Sequence, residues 1–171
     1  MTLLVSHLDR DEFLERFGGV YEHSPWIAEQ VYDEGLTNQA DQPARLSQAM
    51  IEVVSRSGRE PQLTLLRAHP DLAGKLAIAG GLTQASSAEQ AGAGLDRCSE
   101  SEFSEFTELN DRYRAKFDFP FIVAVRGLNR ESILERFRVR VHNDWDSEFD
   151  EALNQVHRIA RLRIEQVFEN L

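Results

Sequence analysis

The chain has 171 residues, of which 42% are hydrophobic and 28% charged, a composition typical of a folded globular protein rather than a disordered one. Its formal net charge of −10 argues against a nucleic-acid-binding protein, which needs a basic face to displace phosphate counterions. Cys98 is the only cysteine, which excludes an intramolecular disulfide and a thiolate metal cluster, and no apolar run approaches the ~20 residues of a membrane span.

The opening stretch MTLLVSHLDRDE shows no features of a targeting sequence. It has neither a basic region nor a long apolar run, so it does not resemble a signal peptide. We therefore expect a soluble, cytoplasmic protein with no membrane association.

Helical periodicity dominates the first third of the chain. DEFLERF predicts a helix that ends at Gly18-Gly19. In SPWIAEQVYDEG, Ser24 is predicted to cap a helix that has Pro25 in its first turn and Gly35 after its last. The next segment predicts an amphipathic helix that ends at Ser57-Gly58. Its apolar stripe, at three- and four-residue spacing, consists of Leu46, Met50, Val53 and Val54.

The remainder of the chain also favours helices, with one exception. Residues 74–99 are rich in small residues but keep apolar positions that predict short, closely packed helices: Leu76, Ile78, Leu82 and Leu95. SESEFSEFTELNDRYRAKF predicts a long helix with a capping box at Ser99 and Glu102. The apolar run between Pro120 and Arg126 is too short for a helix and predicts a buried extended segment or a pocket wall. With NRESILERFRVR and DSEFDEALNQVHRIARLRIEQVFENL, the pattern predicts a single all-α domain of about seven or eight helices.

The motif RAHPDLAGKLA, residues 67–77, places a histidine between two predicted helices. Pro70 disfavours the α conformation at His69, so the preceding helix should end there. The imidazole, which titrates near neutrality, could then project from a helix terminus as a proton donor, or His69 could simply occupy a structural loop. Asp71 could cap the next turn, and we expect Lys75 to meet an acid or solvent.

The motif SSAEQ, residues 86–90, allows two interpretations. Ser86 or Ser87 could be the N-cap of a helix, with the following Glu and Gln reaching back to it. Alternatively, the free N–H groups of a helix N-terminus could bind an anion or a carbonyl, with Glu89 and Gln90 adding side-chain hydrogen bonds.

Two arginines interrupt apolar segments. Arg126 directly follows the apolar run, where burial would be costly unless the guanidinium meets an anion. Arg163 lies on the apolar stripe of the last predicted helix, so it either extends to water or serves an anion in a pocket. No metal site is predicted, because the five histidines lack paired zinc spacing, and there is no phosphate loop, GxGxxG or nucleophile elbow.

Five motifs occur in order along the chain: EHSPWIAE, AHPDLAGK, LTQASSAEQAGAGL, LNDRYRAKFDFPFIVAVRG and RIARLR. Together they resemble the 2-oxo-4-hydroxy-4-carboxy-5-ureidoimidazoline (OHCU) decarboxylase family, whose reaction yields (S)-allantoin at the end of urate breakdown. The resemblance spans nearly the whole chain. The glycine usual between the phenylalanines of the fourth motif is Asp118 here.

The resemblance implies an all-α, cofactor-free and metal-free homodimeric enzyme whose partner is its small-molecule substrate, OHCU. It implies that His69 is the catalytic acid, assisted by Glu89 and Arg163, the last arginine of RIARLR, and that Pro70 lines the substrate. The implied binding residues on the third motif are Ser86, Ser87, Ala88, Glu89 and Gln90. Those on the opposite wall are Phe121, Ile122, Val123, Ala124 and Val125, to which we add Arg126 on the burial argument.

Two other classes of function compete with this interpretation. His-Pro-Asp is also the signature of J-domain cochaperones, in which it contacts a partner ATPase. The stretch before it here, EPQLTLLRA, is nearly devoid of basic residues, and a J-domain needs only about seventy residues. A helical interaction domain without activity would leave Arg126 and Arg163 unexplained.

Overall fold

The structure, a computed structural model, describes residues 3–171, except for the side chains of Leu76 and Ile78, whose predicted packing therefore lies outside the described residues. Within that range it contains eight α-helices of at least eight residues, one shorter α-helix, three short 3₁₀ helices and no β-strand, which confirms the all-α prediction. The helices are α1 (Arg10–Phe17), α2 (Trp26–Asp33), α3 (Pro43–Arg56), α4 (Arg59–Arg67), α5 (Lys75–Ile78), α6 (Gln84–Gly92), α7 (Glu100–Phe117), α8 (Arg130–Arg140) and α9 (Trp145–Glu169). None of the helices described is both long and apolar enough to cross a membrane.

The chain divides into two compact units. The first, unit 1, combines α1 to α4 with the part of α9 that begins at Val156. The second, unit 2, runs from His69 to Gln155 and contains α5 to α8 and the beginning of α9. A single domain over the whole chain stays a prediction.

The core of unit 1 is formed by the apolar faces predicted from the sequence. Phe13 and Phe17 on α1 are fully buried, and the Phe17 ring lies 5.8 Å from that of Phe168 on α9. The predicted α3 stripe is buried along its length: Leu46, Met50, Val53 and Val54. Periodic apolar residues thus identified the inner faces of these helices correctly.

The start of α2 differs from the prediction. Pro25, not Ser24, occupies the N-cap position, and no side chain caps the helix. The Ser24 hydroxyl donates instead to the backbone oxygen of Glu22 at 2.9 Å. The prediction that Ser24 caps α2 was wrong because this hydroxyl closes the preceding turn. Gly35 follows the helix with a φ of +99°, a left-handed conformation that glycine adopts easily, as predicted.

An aromatic cluster around α7 forms the core of unit 2. The helix begins with the predicted capping box of Ser99 and Glu102. Tyr113 packs against a group of rings within 4.4–5.9 Å between centroids: Phe117, Phe119, Phe121 and Phe137. The helix ends at Asp118, whose φ of +61° is left-handed. This is the position where the family usually has glycine, which has no Cβ to oppose that conformation.

Candidate active site

The histidine motif forms the loop between α4 and α5. Helix α4 ends at Arg67 with Ala68 as its C-cap, as Pro70 predicted. His69 is the first residue of unit 2 and is only 6% exposed. Asp71 does not cap the next helix, since the N-cap of α5 is Gly74. The Asp71 carboxylate instead accepts a hydrogen bond from Nε of Arg114 at 2.9 Å.

Side chains from two helices hold this loop, which we call the His69 loop (residues 69–74). Gln90 of α6 accepts from the backbone N of Ala73 at 3.1 Å and donates to the backbone O of Asp71 at 3.4 Å. Nδ2 of Asn110 on α7 donates to the backbone O of Leu72 at 3.0 Å. The structure thus brings the His69 loop together with α6, which carries residues 86–90 of the predicted site.

Helix α6 begins earlier than the sequence motif suggested. Its N-cap is Thr83, whose hydroxyl accepts from the backbone N of Ser86 at 3.2 Å. The interpretation of SSAEQ as a helix start, capped by Ser86 or Ser87, was therefore wrong. Thr83 offers the same capping chemistry three residues before Ser86. The free N–H groups of the helix N-terminus consequently do not belong to residues 86–90.

The five predicted residues of α6 face different environments because they span more than one helical turn. Ser86 and Gln90, four residues apart, are 5% exposed and form the inner face. Glu89 is half-buried, whereas Ser87 and Ala88 are exposed. Of the five, Gln90 is the residue whose amide bonds to the His69 loop.

The predicted pocket wall is a buried, non-helical segment, which we call the wall segment (residues 121–125). Its members are 1–6% exposed: Phe121, Ile122, Val123, Ala124 and Val125. Nη1 of Arg140 donates to the backbone O of Ile122 at 2.6 Å, and Oε1 of Gln155 accepts from the backbone N of Ala124 at 2.9 Å. A single extended segment has no neighbouring strand to bond to, and these side chains satisfy two of its backbone polar groups instead.

A buried ionic network supports the wall segment. Arg140 bonds to both carboxylate oxygens of Glu148 at 3.0–3.2 Å and lies over the Phe121 ring. Tyr113 also donates to Glu148, which is fully buried. Burial, followed by the bond to this carboxylate, raises the pKa of Tyr113. The phenol is therefore a fixed hydrogen-bond donor at neutral pH. The sequence contained no indication of this network, because Arg140 and Glu148 lie in helices rich in charged residues and neither position is marked as buried by the apolar pattern.

Arg126 does not share the burial of the segment before it. Its side chain is exposed, so the burial from which an anion partner was inferred is absent. The chain leaves the core directly after Val125, since Gly127 turns with a φ of +80°. The assignment of Arg126 to substrate binding stays a prediction.

Arg163 lies in unit 1, where it forms a buried ion pair. Its Nη1 donates to Oε2 of Glu22 at 2.8 Å, and the two side chains are 8% and 1% exposed. The structure therefore favours an anion partner over extension to water, and that partner includes a carboxylate of the protein. Sequence reasoning left an anion partner as one of two alternatives for Arg163 and did not identify Glu22, which is 141 positions away.

A second polar pair of unit 1 involves the residue next to Glu22. The Tyr21 hydroxyl and Nδ1 of His157 lie 2.8 Å apart. Burial lowers the pKa of His157 to about 4, so its ring is neutral at physiological pH. Burial also raises the pKa of Tyr21. The pair is a neutral hydrogen bond between the segment that follows α1 and the α9 helix.

Comparison with known proteins accounts for this combination of motifs. The family model described as OHCU decarboxylase matches residues 6–165. The chain belongs to the OHCU decarboxylase family. The match covers the His69 loop, α6, the wall segment and Arg163 together, which excludes the J-domain interpretation of the His-Pro-Asp triplet.

Relatives with this name occur in distant organisms. The chain is 42% identical to a 2-oxo-4-hydroxy-4-carboxy-5-ureidoimidazoline decarboxylase of Haloferax volcanii, over 97% of this chain and 95% of the relative. It is 30% identical to one of Xenopus laevis, over 97% of this chain and 93% of the relative.

Two solved structures have the same fold. A crystal structure of (S)-allantoin synthase matches with a TM-score of 0.74 and 30% identity, over 95% of this chain and 52% of that one. A crystal structure of OHCU decarboxylase in the presence of (S)-allantoin matches with a TM-score of 0.70, over 94% of this chain and 99% of that one. At 21% identity the second likeness concerns the fold alone.

Proposed function

We propose that this protein decarboxylates OHCU to (S)-allantoin and CO₂, with His69 as the proton donor. The observation that carries the proposal is the family match over residues 6–165, supported by a buried His69 on a loop held by α6 and α7. A protonated imidazole that is fixed in place can deliver one proton to one face of a planar intermediate.

The chemistry of the substrate suits a protein without an electron sink. Its carboxylate is attached to a carbon beside electron-withdrawing ring atoms, so loss of CO₂ leaves a carbanion that the ring can delocalise. The protein then has to orient the substrate, stabilise the developing charge with fixed donors, and protonate the carbon. A positioned general acid contributes about 10²–10⁴-fold to such a rate.

We assign the remaining roles by family resemblance. Glu89 and Arg163 assist His69, and Pro70 and residues 86–90 contact the substrate, opposite the wall segment. The paired state of Arg163 supports a role as an oriented guanidinium, because Glu22 fixes Nη1 and so limits the rotation of the group. The apolar wall segment favours departure of neutral CO₂ over retention of a carboxylate.

We also propose that the enzyme is cofactor-free, works in the cytoplasm and forms a homodimer. These proposals rest on the family resemblance. Size-exclusion chromatography with light scattering tests the dimer, which should have twice the 19.5 kDa mass of the chain. A monomer at micromolar concentration would contradict it.

The test of the function is the stereochemistry of the product. Urate oxidase and the hydrolase that follows it generate OHCU in the cuvette, and circular dichroism follows the product. Because OHCU also decays spontaneously, speed alone does not decide the question. We expect the purified protein to give (S)-allantoin in large enantiomeric excess, whereas a racemic product would contradict the proposed function.

A further inference from the structure

The His69 loop adopts a conformation that its own residues disfavour. Ala73 has a φ of +49°, in the left-handed region that L-residues with a Cβ disfavour. The turn is also tight, since a Cβ on Gly74 would come within 2.8 Å of Cβ of Asp71. Such a loop keeps its shape only when the surrounding structure holds it.

Gln90 uses both ends of its amide on this loop. Its oxygen accepts from the N–H of the strained Ala73, and its nitrogen donates to the carbonyl of Asp71. The side chain is 5% exposed, so these bonds form away from solvent, where an unmet polar group is costly. Gln90 is therefore bonded to the backbone that carries His69.

Helix α7 holds the same loop from a second direction. Asn110 binds the carbonyl of Leu72, and Arg114, one turn further, binds the Asp71 carboxylate. Tyr113 lies between them and packs on Phe121 of the wall segment with 5.6 Å between ring centroids. Helix α7 thus contacts both the His69 loop and the wall segment.

We propose that Gln90, beyond the substrate contact assigned to it by resemblance, is a positioning residue for His69. This inference rests on the proposed function. Gln90 directly follows Glu89 on α6, so its bonds to Asp71 and Ala73 also fix the His69 loop relative to that carboxylate. Proton transfer depends on such geometry, because a displacement of about 1 Å can lower a rate about 10²-fold.

The first test replaces Gln90 by methionine, which keeps the length of the side chain and removes both hydrogen bonds. We expect kcat to fall at least about tenfold. KM and the inhibition constant of (S)-allantoin, used as a stable probe ligand, should change by a smaller factor than kcat. The matched control is Gln84→Met, because Gln84 is exposed at the start of the same helix and should leave kcat unchanged. An unchanged kcat with a raised KM and inhibition constant in Gln90→Met would overturn the proposal.

The second test removes a contact of the His69 loop at a partly exposed position, so the variant should still fold. The ion pair of Arg114 with Asp71 is 43% and 29% exposed, so Arg114→Ala should cost little stability. We expect kcat to fall about two- to fivefold, and the effects of Gln90→Met and Arg114→Ala to be less than additive, because both loosen one loop. Urea denaturation gives the folded fraction of each variant. Fully additive effects, or an unchanged kcat in Arg114→Ala, would overturn the proposal.

Failure of the inference and failure of the proposed function give different results. If the wild-type protein gives racemic allantoin, the proposed function is wrong, and the inference that Gln90 positions its proton donor falls with it. If the wild type gives (S)-allantoin and Gln90→Met changes only the binding constants, the function stands and Gln90 is a substrate ligand.

Discussion

The buried ion pair between Arg163 and Glu22 leads to a quantitative prediction about stability. Glu22→Ala removes the carboxylate that Nη1 of Arg163 contacts at 2.8 Å, and the arginine remains in a site where it is 8% exposed. Loss of one partner of a buried ion pair costs about 3–5 kcal/mol. For a chain of this length, each kcal/mol lowers Tm by about 2–4 °C, so we expect a decrease of about 6–20 °C.

Thermal unfolding followed by far-ultraviolet circular dichroism measures this change. The matched control is Glu165→Ala, which breaks the pair of Arg161 and Glu165 on the same helix, where the side chains are 58% and 38% exposed. An exposed pair of this type contributes less than about 1 kcal/mol, so the control should melt within about 4 °C of the wild type. Equal melting temperatures for the Glu22 and Glu165 variants would refute the reasoning that burial makes the first pair important.

Three further substitutions should change the stability of the protein, each because of one local feature of the structure. Asp118→Ala should lower the free energy of unfolding by about 1 kcal/mol in urea denaturation, because Asp118 has a φ of +61° at the C-terminus of α7 and Asp tolerates this left-handed conformation better than Ala; an unchanged or raised stability would contradict this. Burial lowers the pKa of His157 from 6.5 to about 4. Between these two pH values the imidazole is protonated in the unfolded chain and neutral in the folded one, so the free energy of unfolding decreases as the pH falls from 6.5 to about 4. We expect His157→Gln to weaken this dependence, measured by denaturation at pH 7 and 4.5, and an unaltered slope would argue against it. Arg140→Lys keeps the charge but cannot bond to both Glu148 and the Ile122 carbonyl in the same planar geometry, so we expect a loss of about 1–3 kcal/mol; stability equal to the wild type would count against the network.

The helices and their buried faces could be predicted from the sequence because both depend on local order. The α3 stripe and the α7 capping box involve residues three or four positions apart, a separation that the chain itself displays. Caps were harder to predict. Ser24 and Ser86 had the right chemistry, but a hydroxyl can serve a turn, a cap or a helix interior. The Ser24 hydroxyl closes a turn, and Thr83 rather than Ser86 caps α6.

The long-range contacts of the predicted site residues and of the His69 loop could not be predicted, because they join distant positions. Glu22 and Arg163 are 141 residues apart, and Asn110 reaches a carbonyl 38 residues away. Neither pair follows a periodic pattern. The chemical role of His69 came from the resemblance of several motifs to one family, since a histidine before a proline is compatible with several functions. The structure shows how the loop that carries this histidine is held, through hydrogen bonds from Gln90 and from side chains of α7.

The most direct test of the central claim is the enantiomeric excess of allantoin made by His69→Ala, beside that made by His142→Ala. His142 is exposed after α8 and lies outside the proposed site, so it controls for the loss of an imidazole. Both variants should retain the helical circular dichroism spectrum. We predict that His142→Ala yields (S)-allantoin like the wild type, whereas His69→Ala yields the racemate of spontaneous decay. Formation of (S)-allantoin by a folded His69→Ala protein at the wild-type rate would contradict the role of His69 as the proton donor.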